Sequence, residues 1–204
     1  NPAEMQFDGQ LTVQDVDMEG DALVQPVTNL SGELTLSPTT PTLQSLAFNI
    51  GSSDIALNGS LQDYMTYLKS ENDRTATPNL KGSYESTRLN MDELIDWSDT
   101  TTAPTPIHLP DLSSSVTAQI DTLIVTGVTM TNLDAQAGTN PSQIKLNNAS
   151  IELLGGSATG SFVWDVPQPN RTNITFNGSL NGLQAGKFFS EYQVLGEKSN
   201  FHEY

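Results

Sequence analysis

Apolar and polar residues alternate at period two along most of this chain, the mark of strands buried on one face only. The cleanest run is Ala158–Val166, where Ala158, Gly160, Phe162, Trp164 and Val166 share one side and Thr159, Ser161, Val163 and Asp165 the other. Val116, Ala118 and Ile120, and later Ile124, alternate with Thr117, Gln119 and Asp121, and a further run extends from Val128 to Ala137. Ile144, Leu146, Ile151 and Leu153 make another, with Asn147-Asn148 between them as a change of phase or a bulge. In the first half, strands are predicted at Gly32–Leu36, Gln44–Ile50, Asp54–Leu61 and Leu80–Ser86, punctuated by Pro38, Pro41 and a polar loop over 70–78.

One phrase recurs. Asp54-Ile-Ala-Leu-Asn-Gly-Ser-Leu61 and Asn173-Ile-Thr-Phe-Asn-Gly-Ser-Leu180 agree at five of eight positions. Each copy is followed by helix-like spacing, Asp63–Lys69 with Tyr64, Tyr67 and Leu68 on one side, and Ala185–Tyr192 with Phe188 and Phe189. A third short helix is predicted over Leu89–Trp97. Asn90 is placed there to accept from the open amides, and Asp92 and Glu93 to favour the helix dipole in the first turn. Thr100–Pro110, rich in Thr and Pro, separates the halves. The expected organisation is a first β-meander half over 1–99, a connector over 100–110 and a second half over 111–204. The fold class is therefore mainly β with a few short helices: a curved antiparallel meander or groove of two related halves, each ending in a helix.

Charge narrows the partners. Lys and Arg number 8 against 24 Asp and Glu, a net charge of −16, so no basic face exists for nucleic acid or an anionic membrane surface. Cysteine is absent, which excludes disulfides, thiolate metal sites and thiol nucleophiles. No run approaches the roughly 18 apolar residues of a membrane span, and the start, Asn1-Pro-Ala-Glu-Met5, lacks the regions of a signal peptide. The chain reads as a segment of a longer protein.

Catalytic material is sparse. The histidines are His108, in a proline-rich stretch, and His202, near the end, and no metalloprotease, serine-hydrolase or phosphate-loop motif occurs. Many carboxylates are present, but no pair is singled out for glycosidase chemistry. Asp15-x-Asp17-x-Glu19-Gly20 has the spacing that opens a calcium loop, yet position twelve would be Pro26, which cannot ligate, so an acidic turn is expected. The sequence thus predicts no enzyme, no metal and no cofactor. Six Asn-x-Ser/Thr triplets, at Asn29, Asn58, Asn148, Asn170, Asn173 and Asn177, fit strand and turn preference in an Asn- and Thr-rich chain.

The apolar residues of the last two strands, Phe162, Trp164, Val166, Ile174, Phe176 and Leu180, are the candidate functional surface. They form either a core sealed by the terminal helix or an open apolar groove for a lipid chain.

Leu109-Pro-Asp-Leu-Ser-Ser-Ser-Val-Thr-Ala118, Ile120–Ile124, Met130–Ala135, the Gly155-Gly156…Gly160-Ser-Phe162 strand and Lys198–Tyr204 resemble the later part of AsmA-like proteins. Leu46–Leu61 and Leu89–Leu94 fit the same pattern, so the likeness covers most of residues 30–204. The resemblance implies a periplasmic segment of a Gram-negative envelope protein whose parent is anchored in the inner membrane. It further implies a β-groove carrying phospholipid towards the outer membrane, outer-membrane assembly proteins as partners, and no catalytic residues. The competing expectation is an extracellular β-sandwich for adhesion or glycan binding, which would bury both sheet faces against each other.

Overall fold

The computed structural model describes residues 8–20, 23, 25–37, 40–64, 77–94, 113–140, 142–165, 173–184 and 186–187. Its strands are β1 (Gly9–Met18), β2 (Val27–Leu36), β3 (Thr42–Ile50), β4 (Ser53–Gln62), β5 (Asn79–Ser86), β6 (Leu89–Asn90), β7 (Ser113–Val125), β8 (Val128–Asn140), β9 (Gln143–Leu153), β10 (Gly156–Asp165) and β11 (Asn173–Asn181). All belong to one open sheet of eleven strands in the order β1-β2-β3-β4-β5-β7-β8-β9-β10-β11, with β6 beside β7. Among the described residues no second layer lies on this sheet, since the main contacts between elements are those of strands side by side in it and of the short turn after β6.

The sheet is mixed. β1 to β5 and β7 to β11 are antiparallel meanders, but β5 and β6 run parallel to β7, from Asn79 opposite Ser113 to Asn90 opposite Ile124. A purely antiparallel sheet was expected. A parallel step requires the chain to return along the strand before pairing again, a distance of roughly 40 Å at about 3.3 Å per residue. Residues 95–112, which include the Thr- and Pro-rich connector, lie outside the described set.

A polar network holds the seam. The Asp54 carboxylate accepts from the Thr87 amide (2.9 Å), the Thr87 hydroxyl (2.7 Å) and the Arg88 amide (2.7 Å), at the break between β5 and β6. The Thr87 carbonyl then receives the Thr122 amide of β7 at 3.1 Å. Buried Ser53 accepts from the Asn90 amide at 2.9 Å. Downstream, Glu93 accepts from the Ser52 amide (2.7 Å) and hydroxyl (2.9 Å) in the β3–β4 turn, and Asp92 from the Thr126 (2.5 Å) and Gly127 (2.7 Å) amides in the β7–β8 turn. Two hairpin turns from different meanders are thereby tied to one short segment.

That segment corrects the helix expected over Leu89–Trp97. Leu89 and Asn90 are strand, and only Met91–Glu93 coil, as a single 3-10 turn. Asn90 does accept from the Asp92 amide, at 3.2 Å. Asp92 and Glu93, however, reach out to the hairpins, and residues 95–97 of the expected helix lie outside the described residues. Of the helix expected at Asp63–Lys69, Asp63 is a turn, Tyr64 is 3-10 and the rest lie outside the described residues; of Ala185–Tyr192 only Gly186 and Lys187 are described, and both are helical.

Turns and bulges follow from residues that tolerate left-handed backbone. Thr126-Gly127 (φ 51° and 77°) and Leu154-Gly155 (φ 51° and 75°) are two-residue hairpin turns with both central residues left-handed, the geometry that matches strand twist. Asn148 sits at φ 50° inside β9, where the sequence places a change of phase, and the β8–β9 register shifts nearby. The acidic stretch near Asp15 is strand and not turn: Asp15 (φ 49°) forms a bulge in β1, its amide donating to Ser31 Oγ at 3.1 Å. Ile120, Leu133 and Ala135 are the buried centre, flanked by Tyr84, Leu89, Leu123, Leu146, Ala149 and Ile151. The core therefore straddles the parallel seam.

Burial alone would raise the Asp54 carboxyl, but the hydrogen bonds from Thr87 and Arg88 outweigh it and hold the group below its ordinary 3.8. Hydrogen bonds from Ser52 and Asn90 lower the Glu93 carboxyl, aided by the charge of Arg88. For depressed carboxyls the stabilisation is complete above the unfolded pKa and is lost as pH falls through the folded one. Asp54→Ala is therefore expected to lower unfolding stability by about 2 kcal/mol at neutral pH. In urea titrations the difference from wild type should shrink progressively below about pH 4, as the wild-type carboxylate protonates.

Candidate apolar face

Cross-strand register shows how the strand faces join. Leu11, Leu34, Leu43, Gly59, Gly82, Val116, Ala137, Leu146, Phe162 and Phe176 are successive Cα partners from β1 to β11. Partners in register project to the same side of a sheet. One row without a polar side chain therefore crosses every strand of the main path, and nine interstrand steps of about 4.8 Å give it a length of roughly 43 Å. A parallel row, Val13–Gly32–Leu46–Leu57–Tyr84–Ala118–Ala135, runs beside it.

Residues of the long row are half-buried, and at its two ends Leu11 and Phe176 are exposed. Neighbours cover these side chains laterally, and nothing among the described residues covers them from above. The opposite side is mostly polar: Ser60, Lys81, Ser115, Gly138, Lys145, Val163 and Thr175 are the partners one residue along, and Val163 is the one apolar side chain among these seven. Side chains there pair with one another, as in Asn58 to Ser83 (2.8 Å) and Gln119 to Asp134 (3.2 Å).

The repeated phrase has a structural counterpart. Gly59 of the first copy faces Gly82 on β5, and Gly178 of the second faces Gly160 on β10. A Cβ on Gly82 would collide with the Asn58 carbonyl oxygen, and one on Gly160 with the Asn177 carbonyl oxygen. Each Asn-Gly thus marks a place where two backbones approach too closely for any side chain. The copies do not hold the same place in their meanders, being the fourth strand of the first and the fifth of the second.

Of the six candidate residues, Phe162 lies opposite Phe176, and Trp164 opposite Ile174 on β11 and Ile144 on β9. Leu180 lies opposite Ala158, and Phe176 and Leu180 are 45% and 57% exposed, high values for large apolar side chains. Val166 lies outside the described residues, as do Phe188 and Phe189. The Trp164 indole N–H is buried without an acceptor, an arrangement that costs about 1–3 kcal/mol. The sequence reading missed the continuation of this surface through Leu146, Ala137, Val116, Leu43 and Leu34. Its signal was the alternation within strands, which fails in β3, where a register shift separates Leu43 from Leu46.

A recess of about 440 Å³ opens on the polar side, lined among others by Asp54, Glu85, Asp121 and Asp134. Asp54 is committed to the seam and Asp134 to Gln119. Among the described residues no group of His, Cys, Asp and Glu is arranged to hold a metal ion. Burial pushes the Tyr84 phenol up from 10.0, with the nearby Asp54 charge adding to the shift, so Tyr84 contributes to the apolar face as a neutral ring. No family model, curated protein or solved structure matches this chain.

Close backbone approach makes Gly82→Ala expensive, with an expected loss of about 2–3 kcal/mol. At Gly9, where a Cβ meets nothing within 4 Å, the same change should stay within about 0.5 kcal/mol. Chemical denaturation of the two variants distinguishes a steric floor from a general dislike of side chains in the sheet.

Proposed function

We propose that this chain is a non-enzymatic β-groove segment of an AsmA-like envelope protein, curved around and sheltering phospholipid acyl chains during transport between the inner and outer membranes. The observation that carries the reading is the apolar row from Leu11 to Phe176, which crosses all strands of the main path without a polar side chain and is uncovered among the described residues. A water-exposed apolar surface of this extent is unfavourable unless something occupies it. Each sheltered CH₂ contributes roughly 0.8 kcal/mol without any specific ligand.

Length supports a path over a pocket. A bilayer's hydrocarbon core is about 30 Å thick, so one acyl chain reaches about half of that, well short of the row. A surface longer than its ligand, with few polar anchors, lets a lipid move along it. Glycines 59 and 82 interrupt the line of side chains in the row, and the bulges at Asp15, Asn29, Asn132 and Asn148 are devices that bend strands and curve sheets. On this reading the segment belongs to the periplasm, with its parent anchored in the inner membrane and acting with outer-membrane assembly proteins. The adhesion or glycan-binding sandwich has less support, because its core needs two facing sheets and the described strands make one.

Native mass spectrometry of the purified chain should show co-purifying phospholipid, and delipidated protein should take up added phospholipid. Phe162→Asp should reduce uptake by about tenfold or more, since a carboxylate in an apolar site is strongly disfavoured. Ser161→Asp, one residue along on the polar side, should leave uptake unchanged, and circular dichroism should show both variants folded. Lipid-free wild type that also refuses added phospholipid would overturn the reading.

A further inference from the structure

Among the described residues the sheet has two edges, β1 and β11, and they differ. β1 carries the devices that keep an edge from pairing: Asp15 and Asp17 within the strand, a left-handed Asp15, and two register shifts against β2. β11 carries none of them. Its nine residues, Asn-Ile-Thr-Phe-Asn-Gly-Ser-Leu-Asn, include no charge and no proline, and they pair with β10 in unbroken register from Asn173 to Asn181. Thr175 to Asn181 are all exposed, and β11 is the last strand of the sheet. In a chain of net charge −16, a regular uncharged edge is the place where another strand can approach at least electrostatic cost.

The sequence of that edge is nearly self-complementary about its centre. Pairing β11 antiparallel with a second copy on a two-fold axis through Asn177 sets Phe176 opposite the copy's Gly178, Thr175 opposite Ser179, Ile174 opposite Leu180 and Asn173 opposite Asn181. Apolar positions meet apolar ones, polar meet polar, and the aromatic ring falls on a bare glycine, a pairing that covers exposed backbone. A two-fold interface requires one patch to complement itself, and this strand does.

We propose that the chain forms a symmetric dimer by antiparallel β11–β11 pairing centred on Asn177. The axis stands normal to the sheet, so the apolar sides of both copies face the same way and the two long rows meet side by side, offset by two residues, with each Phe176 over the copy's Gly178. β1 does not take part, and the assembly closes at two copies instead of growing into a filament.

Sedimentation equilibrium of the whole chain should show a reversible monomer–dimer equilibrium that tightens as added salt screens the net charge. Because the chain has no cysteine, Asn177→Cys tests the register directly: opposite residues have Cβ atoms about 5 Å apart, within reach of a disulfide under oxidation. Asn181→Cys, distant from its own copy in this register, should not cross-link. Asn177→Lys should weaken the dimer by about tenfold or more by setting like charges opposite each other, and mixing it with Asn177→Asp chains should restore association. A wild type that stays monomeric at high concentration, a dimer indifferent to Asn177→Lys, equal cross-linking at both cysteines, or assemblies larger than two would each overturn the proposal.

Discussion

Lateral pairing between strands is the interaction on which the rest of this structure depends. Most small domains bury a sheet face against another layer, and here no described element supplies one. The apolar side chains are covered by their neighbours in the sheet, which explains why buried hydrophobic residues are few among the described residues and why the cluster they form, Ile120, Leu133 and Ala135, is small. A single layer also makes register critical. A slip of one residue anywhere would turn every apolar side chain beyond it to the polar side, and the rows would end there.

The position where such a slip would do most damage is the parallel step between β5 and β7, because it joins strands that no hairpin connects. Asp54, Asn90, Asp92 and Glu93 act at that point, tying the break after β5 to turns on both sides. Their carboxylates accept backbone amides that would otherwise be left without partners where the strands end. The result is continuity: Gly82 meets Val116, and the apolar rows of the two meanders become one. The proposed transport path rests on that register as much as on the hydrophobic residues themselves.

The glycine pairs serve the same surface. Gly59 with Gly82, and Gly160 with Gly178, let backbones approach at points where a side chain would collide with a carbonyl. They account for the repetition of Asn-Gly-Ser-Leu better than a shared strand-turn-helix unit does. What recurs is a solution to close strand packing, placed once in each meander.

Sequence by itself determined what depends on neighbours within a strand. The alternation at Ala158–Asp165 and Val116–Ile120, the bulge at Asn147-Asn148 and the capping role of Asn90 are consequences of local backbone geometry and side-chain reach, and all were legible before any fold was known. The helix expected after Leu89 was misread because Asp92 and Glu93 suit a helix start, yet they bond amides of two distant hairpins. In the same way Leu43 and Leu46 break the period of two, because a register shift between β3 and β4 brings both to one side. The parallel seam, the ten-residue apolar row and the contrast between the two edges were decided by tertiary structure alone. Each depends on which strands lie side by side and in what register, and hydrogen bonds between backbone groups, identical at nearly every residue, leave no trace of that choice in the order of side chains.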